Sequence, residues 1–232
     1  MSSVVIRVIL VLFCISVFAG CDTATGTKTP INISTLAKID NLGVEVRVDK
    51  DFSVLLAGEE LNGKDLFWVE MPFGEVVGEA VLQGNRHNED AERAKNFRAM
   101  IAEINLQLLT QKALVDGLQS SLRFQSVTSV TEREAPPPTG AGILLVRIEN
   151  WGLYAGSTDN AKLQKVQVGL NATASLVGDG GKIAWKHRDF FTSGVHRPIA
   201  EYISSPSLLK SEIEETARRY CARVVNEIRY AR

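Results

Sequence analysis

The stretch QKVQVGLNATASLV, Gln164 to Val177, decides how the rest of the chain is read. Val166, Val168, Leu170, Ala172, Ala174 and Leu176 fall on one side of it, and Lys165, Gln167, Gly169, Asn171, Thr173 and Ser175 on the other. Successive strand side chains point to opposite faces, so a sustained period of two predicts a long strand with one face on a core. Gly178-Asp179-Gly180-Gly181 then supplies turn chemistry, and Lys182 to Phe191 returns as a second strand. A strand this long also fits a membrane barrel, but such strands need one apolar row facing lipid. The return strand lacks it: Lys186 and Arg188 sit on one face with Ala184, and His187 and Asp189 on the other with Ile183 and Trp185. A soluble hairpin packed on a core is expected instead.

Upstream, Ile143-Leu144-Leu145-Val146-Arg147-Ile148 is nearly continuous apolar sequence and predicts a central strand, running on through Glu149 to Tyr154. The run Glu134 to Gly142, with Pro136, Pro137 and Pro138, breaks periodicity and reads as a loop. Phe124 to Thr131 reads as a short strand. Val44 to Asp49 and Phe52 to Leu56 read as a hairpin turning at Asp49-Lys50-Asp51. Leu66 to Met71 reads as a further strand, ended by Pro72.

Two long helices are expected. Across Glu89 to Phe124, Phe97, Ile101, Ile104, Leu108, Val115, Leu118 and Leu122 form one apolar stripe, with Asn88 as N-cap and Gly117 as a weak point in the last turns. The second opens at Ser205-Pro206, with Pro at the first helical position, and its stripe is Leu209, Ile213, Ala217, Tyr220, Val224 and Ile228. Cys221 lies beside that stripe and is expected as a buried, inert thiol. Strands and helices do not alternate regularly. The expected fold class is therefore α+β, a mostly antiparallel sheet with two long helices packed on it.

The N-terminus has its own logic. Arg7 is the one charged residue of the first twenty, and Val8 to Ala19 is an apolar run of about a dozen residues, short of the ~20 that a spanning helix needs. A basic start, a short apolar core and small residues form the pattern of a secretory signal. Phe18-Ala19-Gly20-Cys21 resembles a bacterial lipobox, with Phe18 standing where Leu is usual. That resemblance implies cleavage before Cys21 and acylation of its thiol and amine. Asp22 resembles an inner-membrane retention signal. Asp22 to Pro30 is small, polar and aperiodic, a flexible tether. The expected organisation is a signal peptide over 1–20, a lipidated tether over 21–38 and one α+β periplasmic domain over 39–232.

With 45% apolar and 23% charged residues, disorder is excluded as a reading of the whole chain. A formal charge of −1 offers no broad footprint for nucleic acid. Once Cys14 leaves and Cys21 carries lipid, Cys221 has no partner for an intrachain disulfide. His87, His187 and His196 lack the spacing of a helical zinc site. Ser193, His196 and Asp189 offer the residue types of a hydrolytic triad, without a nucleophile elbow. His187 and Asp189 share a strand face and are expected as a surface ion pair. Trp68, Trp151 and Trp185 are expected in packing rather than in a ligand groove. No catalytic, cofactor-binding or metal-ligating residue is assigned, and the chain is read as a non-enzyme needing no cofactor.

The segments ILLVRIENWGLY, KVQVGLNATASLV and GDGGKIAWKHRDF resemble the domain shared by several envelope lipoproteins. These are the curli-export lipoprotein, the outer-membrane activators of penicillin-binding proteins and the N-terminal domain of the Tol-system propeller protein. In them a buried strand precedes a hairpin whose second strand carries a Gly-x-x-x-Trp-like element, here Gly181 to Trp185. The resemblance spans residues 90 to 230 and implies a structural, adaptor or assembly role among envelope proteins, with the membrane held through lipid on Cys21. A subunit of an oligomeric export apparatus and an envelope hydrolase stay open as alternatives.

Overall fold

The computed structural model describes residues 28–55, 93–131, 137–155, 160 and 163–231. The expected strand 66–71, Asn88, His87, Trp68 and everything before Lys28 lie outside the described residues. The elements are α1 (Ile33–Leu36), β1 (Asn41–Val48), β2 (Ser53–Leu55), α2 (Leu106–Gln119), β3 (Ser126–Ser129), β4 (Ala141–Tyr154), β5 (Lys165–Val177), β6 (Ile183–Thr192), β7 (Arg197–Pro198), α3 (Ile199–Ser204) and α4 (Pro206–Arg229). The sheet runs in the order β3-β1-β4-β5-β6, with β2 also on β4 and β7 also on β5. Pairing is antiparallel along the long β4–β5–β6 ladders and parallel where β1 meets β3 and β4 and where β2 meets β4. The fold is thus α+β, a mixed and mostly antiparallel sheet under helices.

The long hairpin stands as expected. Val166, Val168, Leu170, Ala172, Ala174 and Leu176 are all buried on the helix-facing side. The turn closes through Gly180 and Gly181, both at positive φ where a side chain would be strained. β4 is the central strand, with Leu144, Val146 and Ile148 fully buried. A bulge at Glu149 shifts the register against β5. One extra residue flips the parity of a strand, so the inward row changes from even positions to Trp151 and Leu153. Glu149 is left on the outer face, where it accepts from Thr173 Oγ1 at 2.9 Å and pairs with Arg188.

β1 and β2 do not form a hairpin. Both run parallel to β4, β1 along Ala141–Ile148 and β2 along Gly152–Tyr154. They are consecutive pieces along one side of β4, and Asp49–Phe52 steps past the β4 bulge rather than reversing direction. β4, at 14 residues, is long enough to hold both. Close approach requires Gly152: its φ is 154°, and a Cβ there would lie 1.9 Å from the Ser53 carbonyl oxygen.

The helix expected over 89–124 is broken. A helical segment 93–100 ends in turns, and Asn105 starts α2 afresh, its side chain accepting from the Leu108 amide at 2.9 Å. Restarting changes the rotational phase. Leu106, Thr110, Leu114 and Leu118 are buried, while the expected Leu108 and Leu122 are 62% and 90% exposed. Phe97 and Ile101 keep their place in the core. Gly117 is a contact point rather than a weakness, since a Cβ there would meet Val225 Cγ2 of α4 at 2.8 Å. α4 follows expectation: it opens with Pro206, and all six stripe residues are buried.

Candidate functional site

α4 crosses β6 in the opposite chain direction, and the two elements bring together charges that lie far apart in sequence. The strand period places Trp185, His187, Asp189 and Phe191 on the helix side of β6. The helical period places Arg219, Arg223 and Glu227 one turn apart, beside the apolar stripe of α4. The Arg223 guanidinium lies 3.0 Å from Asp189 Oδ2, whose side chain is 2% exposed. His187 Nδ1 lies 3.2 Å from Glu227 Oε1, and Arg223 Nε is 3.6 Å from the same oxygen. The third approach to this carboxylate comes from Lys28, 3.0 Å from Oε2. Two carboxylates thus stand against Lys28 and Arg223, a balanced set held partly out of water.

Burial by itself pushes the Glu227 carboxyl up, but hydrogen bonds from His187 and Lys28, with the Lys28 charge, bring it down to about 2. A carboxyl lowered in the folded state stabilises the fold above its ordinary range and loses that contribution as the acid form takes over. Stability should therefore fall between about pH 4.5 and pH 2 through this group. In Glu227→Gln that component of the urea-midpoint profile should vanish, while the variant is less stable than the parent at pH 7. An unchanged acid limb would show that Glu227 is not ion-paired in solution.

Beside the cluster an open groove is lined by Lys28, Phe191, Arg219, Ala222, Asn226 and Glu227. Arg219 donates to the Ser193 carbonyl at 3.1 Å and stacks 5.6 Å from the Phe191 ring centre. The cluster holds no nucleophile next to a base. Cys221 is buried and its thiol is pushed up to about 12 by burial, which suits a packing role. Among the described residues no group of three or more His, Cys, Asp and Glu is arranged to hold a metal ion.

The Ser193, His196 and Asp189 combination is not assembled. Asp189 is turned to Arg223, Ser193 Oγ is engaged with the backbone of Val195 at 3.3–3.4 Å, and His196 is exposed. His187 and Asp189, expected as a surface pair, are buried and each is matched by α4 instead. The return strand carries these charges on the core face, and the helix supplies their partners. Trp185 is fully buried, and Trp151 donates to the Lys50 carbonyl at 3.0 Å while packing edge-on against Phe52. Cys21 lies outside the described residues.

No protein-family model matches the chain, and no curated protein matches it. Solved structures do show distant structural similarity. The PelC dodecamer from Paraburkholderia phytofirmans is 12% identical, with a TM-score of 0.42 over 90% of this chain and 99% of that one. A DUF330 protein from Xanthomonas campestris is 10% identical, with a TM-score of 0.40 over 81% and 82%. These are similarities of chain course.

Lys28, Arg219, Arg223 and Glu227 are absent from the residues singled out by sequence. The signal was present as an Arg219-Arg223-Glu227 ladder at four-residue spacing, next to the stripe of α4 and matched to a strand with charges on its core face. Lys28 had none, because it lies in a polar run with no periodicity.

Residues 28–38, within the span expected as tether, are in contact with the sheet. The Thr29 amide donates to the Lys186 carbonyl at 2.9 Å and the Asn32 amide to the Ala184 carbonyl at 2.7 Å. This segment runs antiparallel to β6, with Lys28 opposite His187, and Leu36 in α1 is 1% exposed.

Proposed function

We propose that this chain is a lipid-anchored envelope protein, held by acyl chains on Cys21, whose domain serves as a structural or assembly part. The observation that carries the reading is the short distance between the lipobox-like Cys21 and the first strand contact. Lys28 is the seventh residue after Cys21, a reach of at most about 25 Å. A domain so tethered works close to a membrane surface. One acyl chain anchors only marginally, and two or more anchor stably, so the amine and thiol of Cys21 together supply what a durable anchor needs. No helix among the described residues is long and apolar enough to cross a membrane.

The resemblance to adaptor-type envelope lipoproteins supports the assembly role, and the ion-paired cluster supports a rigid platform rather than a reaction centre. Crosslinking in intact cells, followed by detergent extraction and affinity capture, should recover the protein with a reproducible set of envelope proteins. Consistent recovery as a lone monomer would contradict the assembly role.

A further inference from the structure

The described residues 28–32 have a direction as well as a place. They run antiparallel to β6, from His187 toward Ala184. Continued backward, the line of residues 28–32 points to the C-terminal end of β6. At that end the sheet finishes in a group of short elements. Arg197–Pro198 pairs with Lys165–Val166, the Ile199 amide donates to the Gln164 carbonyl at 2.9 Å, and α3 follows directly. Three large apolar side chains stand out from these elements: Leu163 is 63% exposed, Val195 44% and Ile203 53%. Lys165 and His196 are exposed among them. The rim is mixed in charge, since Glu201 of α3 is also exposed, so it is the apolar side chains that suit this end to the boundary between acyl chains and headgroups.

We infer that this end, carrying Leu163, Val195 and Ile203, is the face that the domain seats on a phospholipid surface. The inference rests on the lipid anchor proposed above, and the approach of the chain selects the face. Exposed apolar residues also occur at the opposite end, where Ile33 and Ile183 are 37% and 61% exposed. An anchor on that side requires the tether to reverse direction within seven residues. From Lys28 the last residue of β6 is five residues along the strand, about 17 Å at the usual rise. That lies within the reach of the tether, so the end can touch the membrane without loss of the Lys28 contact.

The test uses the full-length protein purified from membranes and placed in vesicles of phosphatidylethanolamine and phosphatidylglycerol. An environment-sensitive fluorophore is attached at Val195→Cys or, separately, at Ile183→Cys; Cys221 is buried and does not compete. The label at Val195→Cys should shift to the blue and lose emission to a quencher carried on shallow lipid positions. The label at Ile183→Cys should do neither. Intact mass is read on the same samples. If acyl mass is present but the two labels respond equally, or in reverse, the seating is overturned and the anchor stands. Absence of acyl mass overturns both. Shielding of Val195→Cys that persists in detergent together with a doubled particle mass would mean that a second copy covers the face, and also overturns the seating.

Discussion

Arg223→Ala should lower the stability of the domain by about 3 kcal/mol, the lower end of what is lost when one partner of a buried ion pair is removed. Asp189 is 2% exposed and its Oδ2 lies 3.0 Å from the guanidinium, whereas Arg223 itself is 25% exposed. The carboxylate therefore stays in a dry site without the Arg223 charge, and that change is the main source of the loss. In a domain of this size the effect is a fall in Tm of about 6–12 °C. Lys28 and His187 do not compensate, because both are turned to Glu227. Replacing both partners by apolar residues, Asp189→Leu with Arg223→Met, should recover most of the loss, since the desolvation penalty disappears with the charges. A urea titration of the parent, Asp189→Leu, Arg223→Met and the double variant closes the cycle, with Arg223→Ala read beside them. A loss below about 0.5 kcal/mol for Arg223→Ala would place the pair among exposed ion pairs and contradict the buried geometry.

The elements legible in the sequence were those whose partners are close in the chain or whose period is long. β5 and β6 are joined by a glycine turn, and β5 alternates over thirteen residues. α4 carries its stripe through 24 residues. Each of these patterns has few competing readings. The parallel course of β1 and β2 was hidden, because their shared partner β4 lies about a hundred residues downstream. Asp49-Lys50-Asp51 has turn composition, and composition does not say whether the chain reverses or steps past a bulge. The bulge at Glu149 was hidden for the same reason, as it exists only in the register against β5. The break before α2 turns on Asn105 alone, a strong N-cap set inside an otherwise helical run.

The charge cluster shows a different limit. His187 and Asp189 were legible as neighbours on one strand face, but which layer that face meets is set by the crossing of α4. Burial turns an apparent surface pair into two cross-layer pairs with α4. The outer face of the sheet carries its own polar links, from Arg47 to Glu45 at 2.6 Å and from Arg147 to Asp49. Charge on both faces of β6 is therefore compatible with a soluble sheet, and a pore-lining strand is not needed to explain it.

Cys21→Ser should have an all-or-none effect on membrane attachment. The thiol is the atom that would form the thioether to a diacylglycerol, and a hydroxyl does not replace it in that bond. Each buried methylene contributes about 0.8 kcal/mol of membrane affinity, so loss of the acyl chains removes the anchor outright. The domain itself should be unaffected. Its first described contacts begin at Lys28, and its described core lies downstream, so the variant should keep the Tm of the parent. Preservation of Tm separates a lost anchor from a misfolded chain.

The most direct measurement is metabolic labelling with a clickable fatty-acid analogue, read on the affinity-purified parent and on Cys21→Ser side by side. A lipid-anchored protein gives label on the parent, none on the variant, and release of the variant from the membrane fraction. Equal label on both proteins, or a parent that carries none, would contradict the anchor.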